Sequence, residues 1–347
     1  MTPTTGVPDV LARSAEKFAP AMKAAVERLT PDIRRMVGYH LGWSDPEGRP
    51  VGSPSGKGIR PTLALLSAEA AWADAEVGIP GATAVEAVHN FSLIHDDIID
   101  GDRERHHRAT VWVLFGVGPA IIAGDALETL AHQVLLEASP ATGAAASAAL
   151  AEATAAMIAC QADDIAFEQR RDVSVEECMA MSAAKTGSLL GCASSLGAVL
   201  AGAPPATVGA LRDYGRHLGL AFQAVDDLLG IWGDPSRTGK PAGNDLRQRK
   251  KSMPVVSALA AGGDEAEELR SLLLGPADRS ALVRPLDSDQ VERAAYLVDA
   301  CGGREWTTVR AKAHLDAALG ALERVRISAV PHRQLADLAV YVVERES

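Results

Sequence analysis

Two acidic clusters constrain this chain more than any other feature: Asp96-Asp97-Ile98-Ile99-Asp100 and Asp226-Asp227-Leu228-Leu229-Gly230, each inside an apolar, helix-like run. Asp96 and Asp100 are four residues apart, so on a helix their carboxylates project from one face, one turn above the other. Carboxylates this close repel one another and cost desolvation if buried unpaired. A divalent cation removes that conflict, and hard oxygen ligands suit magnesium. One such cluster reads as a solvated helix face. Two of them, both in apolar surroundings, point to a metal site between facing helices.

The rest of the chain supports a helical frame for them. It has 347 residues, 47% of them hydrophobic and only 4% aromatic, with abundant alanine and few alternating Val/Ile/Thr runs. That balance predicts an all-α protein with closely packed helices. Residues 1–9 read as a disordered tail, and no linker after them is long enough to divide the core, so 10–347 is expected to form one domain. The net charge of −11 argues against nucleic acid as a main partner, because a phosphate backbone requires a basic surface. Cys160, Cys178, Cys192 and Cys301 show no C-x-x-C spacing, which reads as free thiols in a reducing cytoplasm. No basic start followed by an apolar segment marks a signal peptide. The uncharged stretch 186–211 is rich in Gly, Ser and Ala and is interrupted by Pro204-Pro205. It is expected to be a core helix and not a membrane span.

Helices are expected over 10–39 with a break at Pro31, then 60–75, 83–100, 118–137, 141–169, 174–185, 187–201 and 206–232. Further helices are expected over 252–261, 264–274, 290–300, 307–325 and 332–344. The segment 102–109 reads as a charged connector and 233–251 as a long polar loop, of the kind that often carries function.

Several residues around the clusters suit an anionic substrate. Lys57 and Arg60 flank Gly58 immediately before a helix, where backbone donors and cations favour phosphate. His89 lies seven residues before Asp96, near the same helical face. Arg105 follows the first cluster closely and is a candidate phosphate clamp, whereas His106-His107 lack zinc-site spacing. Lys185-Thr186, Lys240, Asp245 and Lys250 are isolated polar residues in apolar or loop stretches. Gln223, three residues before Asp226, shares its helical face.

Together these residues resemble the trans-prenyl diphosphate synthase family, the head-to-tail isoprenoid chain elongators, and most closely its geranylgeranyl diphosphate synthases. The resemblance runs from about Leu11 to the C-terminus and rests on GKGIRP, SLIHDDIID, AAKTGSLLG, FQAVDDLLGIWGD and TGKPAGNDLRQRKKSMP. It implies an all-α bundle around a central cavity, a homodimer, three magnesium ions per site, and isopentenyl diphosphate and allylic prenyl diphosphates as substrates. It further implies that Asp96, Asp100, Asp226 and Asp227 hold metal, with Asp97 in support. Arg105, Lys185, Gln223 and Lys240 would contact the allylic diphosphate, with Lys250 nearby and Thr186 facing the reacting carbon. Lys57, Arg60 and His89 would hold isopentenyl diphosphate.

The chain departs from the family pattern at three positions. Gly230 stands where a third aspartate usually ends the second motif, with Asp234 following. His106 replaces a second arginine on the isopentenyl diphosphate side, and Ala109 replaces a proline. Phe91, five residues before Asp96, with small Ser92 beside it, matches the pattern for a geranylgeranyl product, with farnesyl diphosphate second. His106 would also suit a class I terpene cyclase on the same fold, but Lys57, Arg60 and His89 favour elongation. A non-catalytic partner subunit would have no need of both intact aspartate clusters.

Overall fold

The computed structural model describes residues 6–51, 58–234, 243–274 and 285–344. Lys57, Lys240 and residues 1–5 of the expected tail lie outside them. Among the described residues the chain is helical apart from one two-stranded hairpin, as an Ala-rich, aromatic-poor sequence predicts. It divides into two compact units. Unit 1 comprises Met1–Thr154, Leu189–Arg212 and Leu322–Asp337; unit 2 comprises Ala155–Ser188, Asp213–Ala321 and Leu338–Ser347.

In unit 1, α1 (Val7–Val26) begins three residues before the expected Val10, because Pro8 is tolerated in a first turn and Asp9 caps the Gly6 amide. Pro31 ends that run and starts α2 (Pro31–His40). α3 (Ile59–Ala70) stops short of Ala75, since Trp72 turns left-handed with φ 65°. α4 (Ile79–Ile99) packs on α3 and on α6 (Val117–Ala138), with the short α5 (Val111–Phe115) before α6. The packing is close because small residues line it. A Cβ at Gly197 of α9 (Ser188–Leu200) would lie 2.1 Å from the Ala64 carbonyl oxygen of α3. Gly197 N instead donates to Ser67 Oγ at 2.9 Å. Gly124 of α6 leaves room for the His95 ring, whose Nε2 would sit 2.3 Å from a Cβ there.

The connector 102–109 is not an open loop. It forms a hairpin, β1 (Glu104–Arg105) against β2 (Arg108–Ala109), turned by His106 and His107. Both histidines have positive φ, 51° and 60°. A two-residue turn demands this geometry, and Asn-Gly usually supplies it. Holding two non-glycine residues there stores local strain.

Unit 2 takes the later part of α7 (Gly143–Gln169) and α10 (Pro205–Trp232) from Asp213 onward. α8 (Val175–Ser182) starts with a reciprocal capping box between Ser174 and Glu177. It runs into a π-helical turn at Ala183–Gly187. α11 (Asn244–Arg247), α12 (Met253–Ala260), α13 (Asp264–Leu274), α14 (Ser288–Ala300) and α15 (Gly303–Glu323) follow, and α16 (Ala329–Glu344) ends the described chain. Ile231, Leu246, Val255, Leu269, Leu273 and Leu297 form one apolar core of this unit, and Cys178, Val225, Met253 and Val256 belong to another.

The stretch Gly143–Phe167 is the one described helix long and apolar enough to cross a membrane by length and composition. The stretch 186–211 does not qualify, and its α9 portion is almost wholly buried. Cys160, Cys178 and Cys192 are buried, and Cys301 is half-buried.

Candidate functional site

The first cluster occupies the C-terminal end of α4. Asp96 and Asp97 lie in its last turn, Asp100 is the C-cap, and Gly101 leaves the helix with φ 69°. A helix C-terminus carries the negative end of the backbone dipole. Carboxylates gathered there destabilise one another and the helix unless cations compensate. Arg105, delivered by β1, is one such cation. Its Nε donates to Asp97 Oδ1 at 2.9 Å, and its Nη2 lies 2.8 Å from the same oxygen as an ion pair. Asp97 Oδ2 is buried and has no partner. Burial raises the Asp97 pKa, against the lowering effect of the Arg105 hydrogen bond and charge. Asp96 is half-buried and Asp100 exposed.

A second polar group in unit 1 surrounds Arg60, the second residue of α3. Its Nη1 lies 3.3 Å from His89 Nε2, and its Nε is buried without a partner. Burial depresses the Arg60 pKa, opposed by the charge of Glu86. His89 is held well below its ordinary value by burial and by Arg60, His40 and Arg105, so it is neutral. Asn90 Nδ2 donates to the Glu86 backbone carbonyl at 2.8 Å and to Glu86 Oε1 at 3.3 Å. Burial and the Arg105 charge push His40 down to about 4. On the hairpin, Arg108 lies 4.2 Å above the Tyr39 ring and donates to the Ser44 carbonyl at 3.2 Å. Tyr39 in turn donates to the Ala109 carbonyl at 2.7 Å. Cationic groups outnumber carboxylates here, which suits an anion.

Phe91 is buried in α4 and meets His95 edge-on, with centroids 4.8 Å apart. Ser92 Oγ is turned back to the His89 carbonyl at 2.8 Å.

In unit 2 the second cluster sits near the end of α10. Asp226 is exposed, whereas Asp227 is buried with both oxygens engaged. Gln223 Nε2 donates to Oδ1 at 2.8 Å and Met253 N to Oδ2 at 2.9 Å. Burial pushes the Asp227 carboxyl up to about 6, partly offset by Lys250. Thr186 Oγ1 donates to Gln223 Oε1 at 2.8 Å, so Thr186, Gln223 and Asp227 form one chain. Lys185 and Thr186 are presented by the π-helical turn, a distortion frequent at functional sites. Gly187 and Gly219 let this turn meet α10, since a Cβ at Gly219 would lie 2.7 Å from Gly187 Cα. Lys185 Nζ pairs with Asp164 Oδ2 at 2.6 Å. Burial would lower the Lys250 pKa, but Asp245, Asp227, Asp226 and Asp164 raise it overall.

The structure thus gathers Asp97 with Arg105 and Arg60 with His89 in unit 1, and Thr186, Gln223 and Asp227 in unit 2. Among the described residues no three His, Cys, Asp or Glu side chains form a ready-made metal cluster. The available donors are nonetheless carboxylate oxygens, and the unpartnered Asp97 Oδ2 is one of them; that donor set fits a hard divalent cation. A depression of about 550 Å³ lined by Arg249, Glu268, Asp289 and Arg293 contains none of these residues.

Sequence reasoning missed His40, Glu86, Asn90, Arg108 and Asp164. Glu86 and Asn90 flank His89 at helical spacing, a signal within reach. His40, Arg108 and Asp164 carried none, because their partners are distant in sequence.

The family model described as polyprenyl synthetase matches residues 49–284. The (2E,6E)-farnesyl diphosphate synthase of Mycobacterium tuberculosis is 47% identical over 339 residues, covering 97% of this chain and 93% of that protein. The crystal structure of a polyprenyl synthetase from Streptomyces coelicolor superposes with a TM-score of 0.91 at 48% identity, over 97% of this chain and 99% of that one. A geranylgeranyl pyrophosphate synthase from Corynebacterium glutamicum, complexed with isoprenyl diphosphate and magnesium, matches with a TM-score of 0.80 and 27% identity, over 99% of each chain.

Proposed function

This chain belongs to the polyprenyl synthetase family and is a prenyltransferase, and from that premise we propose that it joins isopentenyl diphosphate to allylic diphosphates with magnesium as cofactor. The observation that carries this reading is a division of labour repeated in both units. In each aspartate pair the second carboxylate is buried and braced by protein donors, Asp97 by Arg105 and Asp227 by Gln223 and Met253. The first is left more accessible, Asp96 half-buried and Asp226 exposed.

Asp96, Asp100 and Asp226 would hold the metal, with Asp97 and Asp227 as braces. Bound magnesium supplies positive charge to the departing diphosphate. Arg105, Lys185, Gln223, Lys240 and Lys250 bind the allylic diphosphate, and Lys185 exchanges Asp164 for it. Lys57, Arg60, His89 and His106 hold isopentenyl diphosphate; neutral His89 offers a hydrogen bond while Arg60 supplies charge. As the allylic C–O bond breaks, its electron pair leaves with the diphosphate. The isopentenyl double bond attacks the resulting carbon, and a proton is lost to the diphosphate. Thr186, anchored through Gln223, faces the reacting carbon.

The product we propose is farnesyl diphosphate, supported by the farnesyl synthase relative and by the Phe91–His95 ring pair, which adds bulk beside Phe91. Geranylgeranyl diphosphate is the second reading, favoured by small Ser92 and by the geranylgeranyl synthase likeness. We also propose a cytoplasmic homodimer, supported by the buried thiols of Cys160, Cys178 and Cys192 and by Val117, Ile121 and Ile122, exposed apolar residues of α6. Incubation with magnesium and each allylic starter, with and without labelled isopentenyl diphosphate, tests the reaction through mass analysis of all products. Absence of a lengthened prenyl diphosphate would overturn the reading, and hydrocarbon release without isopentenyl diphosphate would identify a cyclase.

A further inference from the structure

The hairpin that delivers Arg105 sets two cations against each other. Its register places Arg105 directly opposite Arg108 across the His106-His107 turn. Directly opposed side chains of an antiparallel pair share a face, where like charges repel. The turn adds strain of its own, because both histidines hold positive φ. A two-stranded hairpin has no core with which to offset these costs. Thr110 Oγ1 and Trp112 Nε1 close its open end on the Asp102 carbonyl, each at 2.8 Å. The strand leaving the turn is held from α2 and the segment after it. The Tyr39 ring takes the Arg108 guanidinium at 4.2 Å. The Tyr39 hydroxyl donates to the Ala109 carbonyl at 2.7 Å, and Arg108 Nη2 donates to the Ser44 carbonyl at 3.2 Å. Tyr39 is itself fixed: it is 6% exposed and meets Phe115 edge-on, with centroids 5.9 Å apart. The two arginines are thus drawn to different partners, Arg108 to Tyr39 and Ser44, Arg105 to Asp97.

We infer that Tyr39 is a positioning residue for Arg105. By taking Arg108 with its ring and Ala109 with its hydroxyl, it holds the hairpin in the register that sends Arg105 to the first aspartate cluster. The inference rests on the proposed binding of the allylic diphosphate by Arg105. The plain alternative is that Tyr39 only packs against Phe115. The hydroxyl separates the two, because phenylalanine keeps the packing and loses the hold on Ala109.

Two measurements on the full chain test it. Titration calorimetry with inorganic pyrophosphate and magnesium reads the site, and urea unfolding without metal reads the Arg105–Asp97 pair. Tyr39→Phe is expected to weaken pyrophosphate binding about fivefold, the worth of one net hydrogen bond. In an Arg105→Gln background it should weaken binding no further. Adding His107→Gly to Tyr39→Phe should restore binding to within about twofold of the parent, because glycine holds positive φ at no steric cost. In unfolding, the Tyr39→Phe and Arg105→Gln losses should fall short of additive. Additive losses would overturn the inference. So would a Tyr39→Phe protein that binds as tightly as the parent, or a defect that is equal in the parent and in Arg105→Gln, or one that His107→Gly leaves unchanged. If Arg105→Gln itself binds pyrophosphate like the parent, the reading of Arg105 fails instead, and the unfolding cycle still decides the role of Tyr39.

Discussion

Arg105 donates from Nε at 2.9 Å to one oxygen of Asp97, with Nη2 2.8 Å from the same oxygen as an ion pair, and leaves the other oxygen buried without a partner. The fork is therefore not a closed bidentate pair. One side of the carboxylate is held by the hairpin, and the other has no hydrogen-bond partner. Replacing Arg105 by Gln strands a carboxylate whose side chain is 2% exposed. The expected loss is about 2 kcal/mol, discounted because Arg105 itself is partly solvated. Urea unfolding without metal measures it, and adding Asp97→Asn should recover part of the loss. A double variant as unstable as the sum of the single ones would show that the pair is not coupled.

The Thr186–Gln223–Asp227 chain makes a sharper demand. Gln223→Ala removes the acceptor for Thr186 and one donor to buried Asp227. Stability should fall by about 1–3 kcal/mol. Turnover should fall by about tenfold or more if Thr186 is no longer held against the reacting carbon. Steady-state kinetics on folded protein decides this; unchanged turnover would remove Thr186 from the mechanism.

His40 sets a pH dependence of stability. In the folded chain it is held down to about 4 from an ordinary 6.5. Between those values the unfolded chain binds a proton that the folded chain refuses, so stability rises with pH. This contribution is complete above 6.5 and is lost as pH falls toward 4. Arg105, Arg108 and His106 are the charged or titratable neighbours that oppose its protonation. His40→Gln should flatten the unfolding free energy across that window. An unchanged slope would place the titration elsewhere.

Phe91 tests the product. It is buried in α4 against His95 and is the residue proposed to floor the growing chain. Phe91→Ala should lengthen the main product by at least one isoprene unit and cost about 3–5 kcal/mol as a cavity opens. Chromatography of dephosphorylated products reads the length. No lengthening would remove Phe91 from that role.

The exposed apolar residues of α6 test assembly. Ile122 is 53% exposed, and Ile122→Glu puts a charge on a face proposed to be covered by a second copy. Sedimentation should show a dimer for the parent and dissociation for the variant, since burying an unpaired charge costs several kcal/mol.

The helical class, the break at Pro31 and the two acidic clusters could be taken from the sequence because their signals are local. Alanine content, proline position and four-residue spacing act within one or two turns. The hairpin at 104–109 was hidden, since two histidines in left-handed geometry contradict ordinary turn preferences and persist only where the surrounding structure holds them. The π-helical turn at Ala183–Gly187 was hidden for the same kind of reason, as its residues suit an α-helix equally well.

By itself the sequence determined which residues carry charge, which stretches become helices, and to which family the chain belongs. Only the tertiary structure decided the duties within each aspartate pair, with Asp97 and Asp227 turned inward as braces. The physical reason is range. Helical periodicity is settled by neighbours a turn away, whereas burial, an occupied hydrogen bond and an excluded volume depend on atoms brought close from remote parts of the chain.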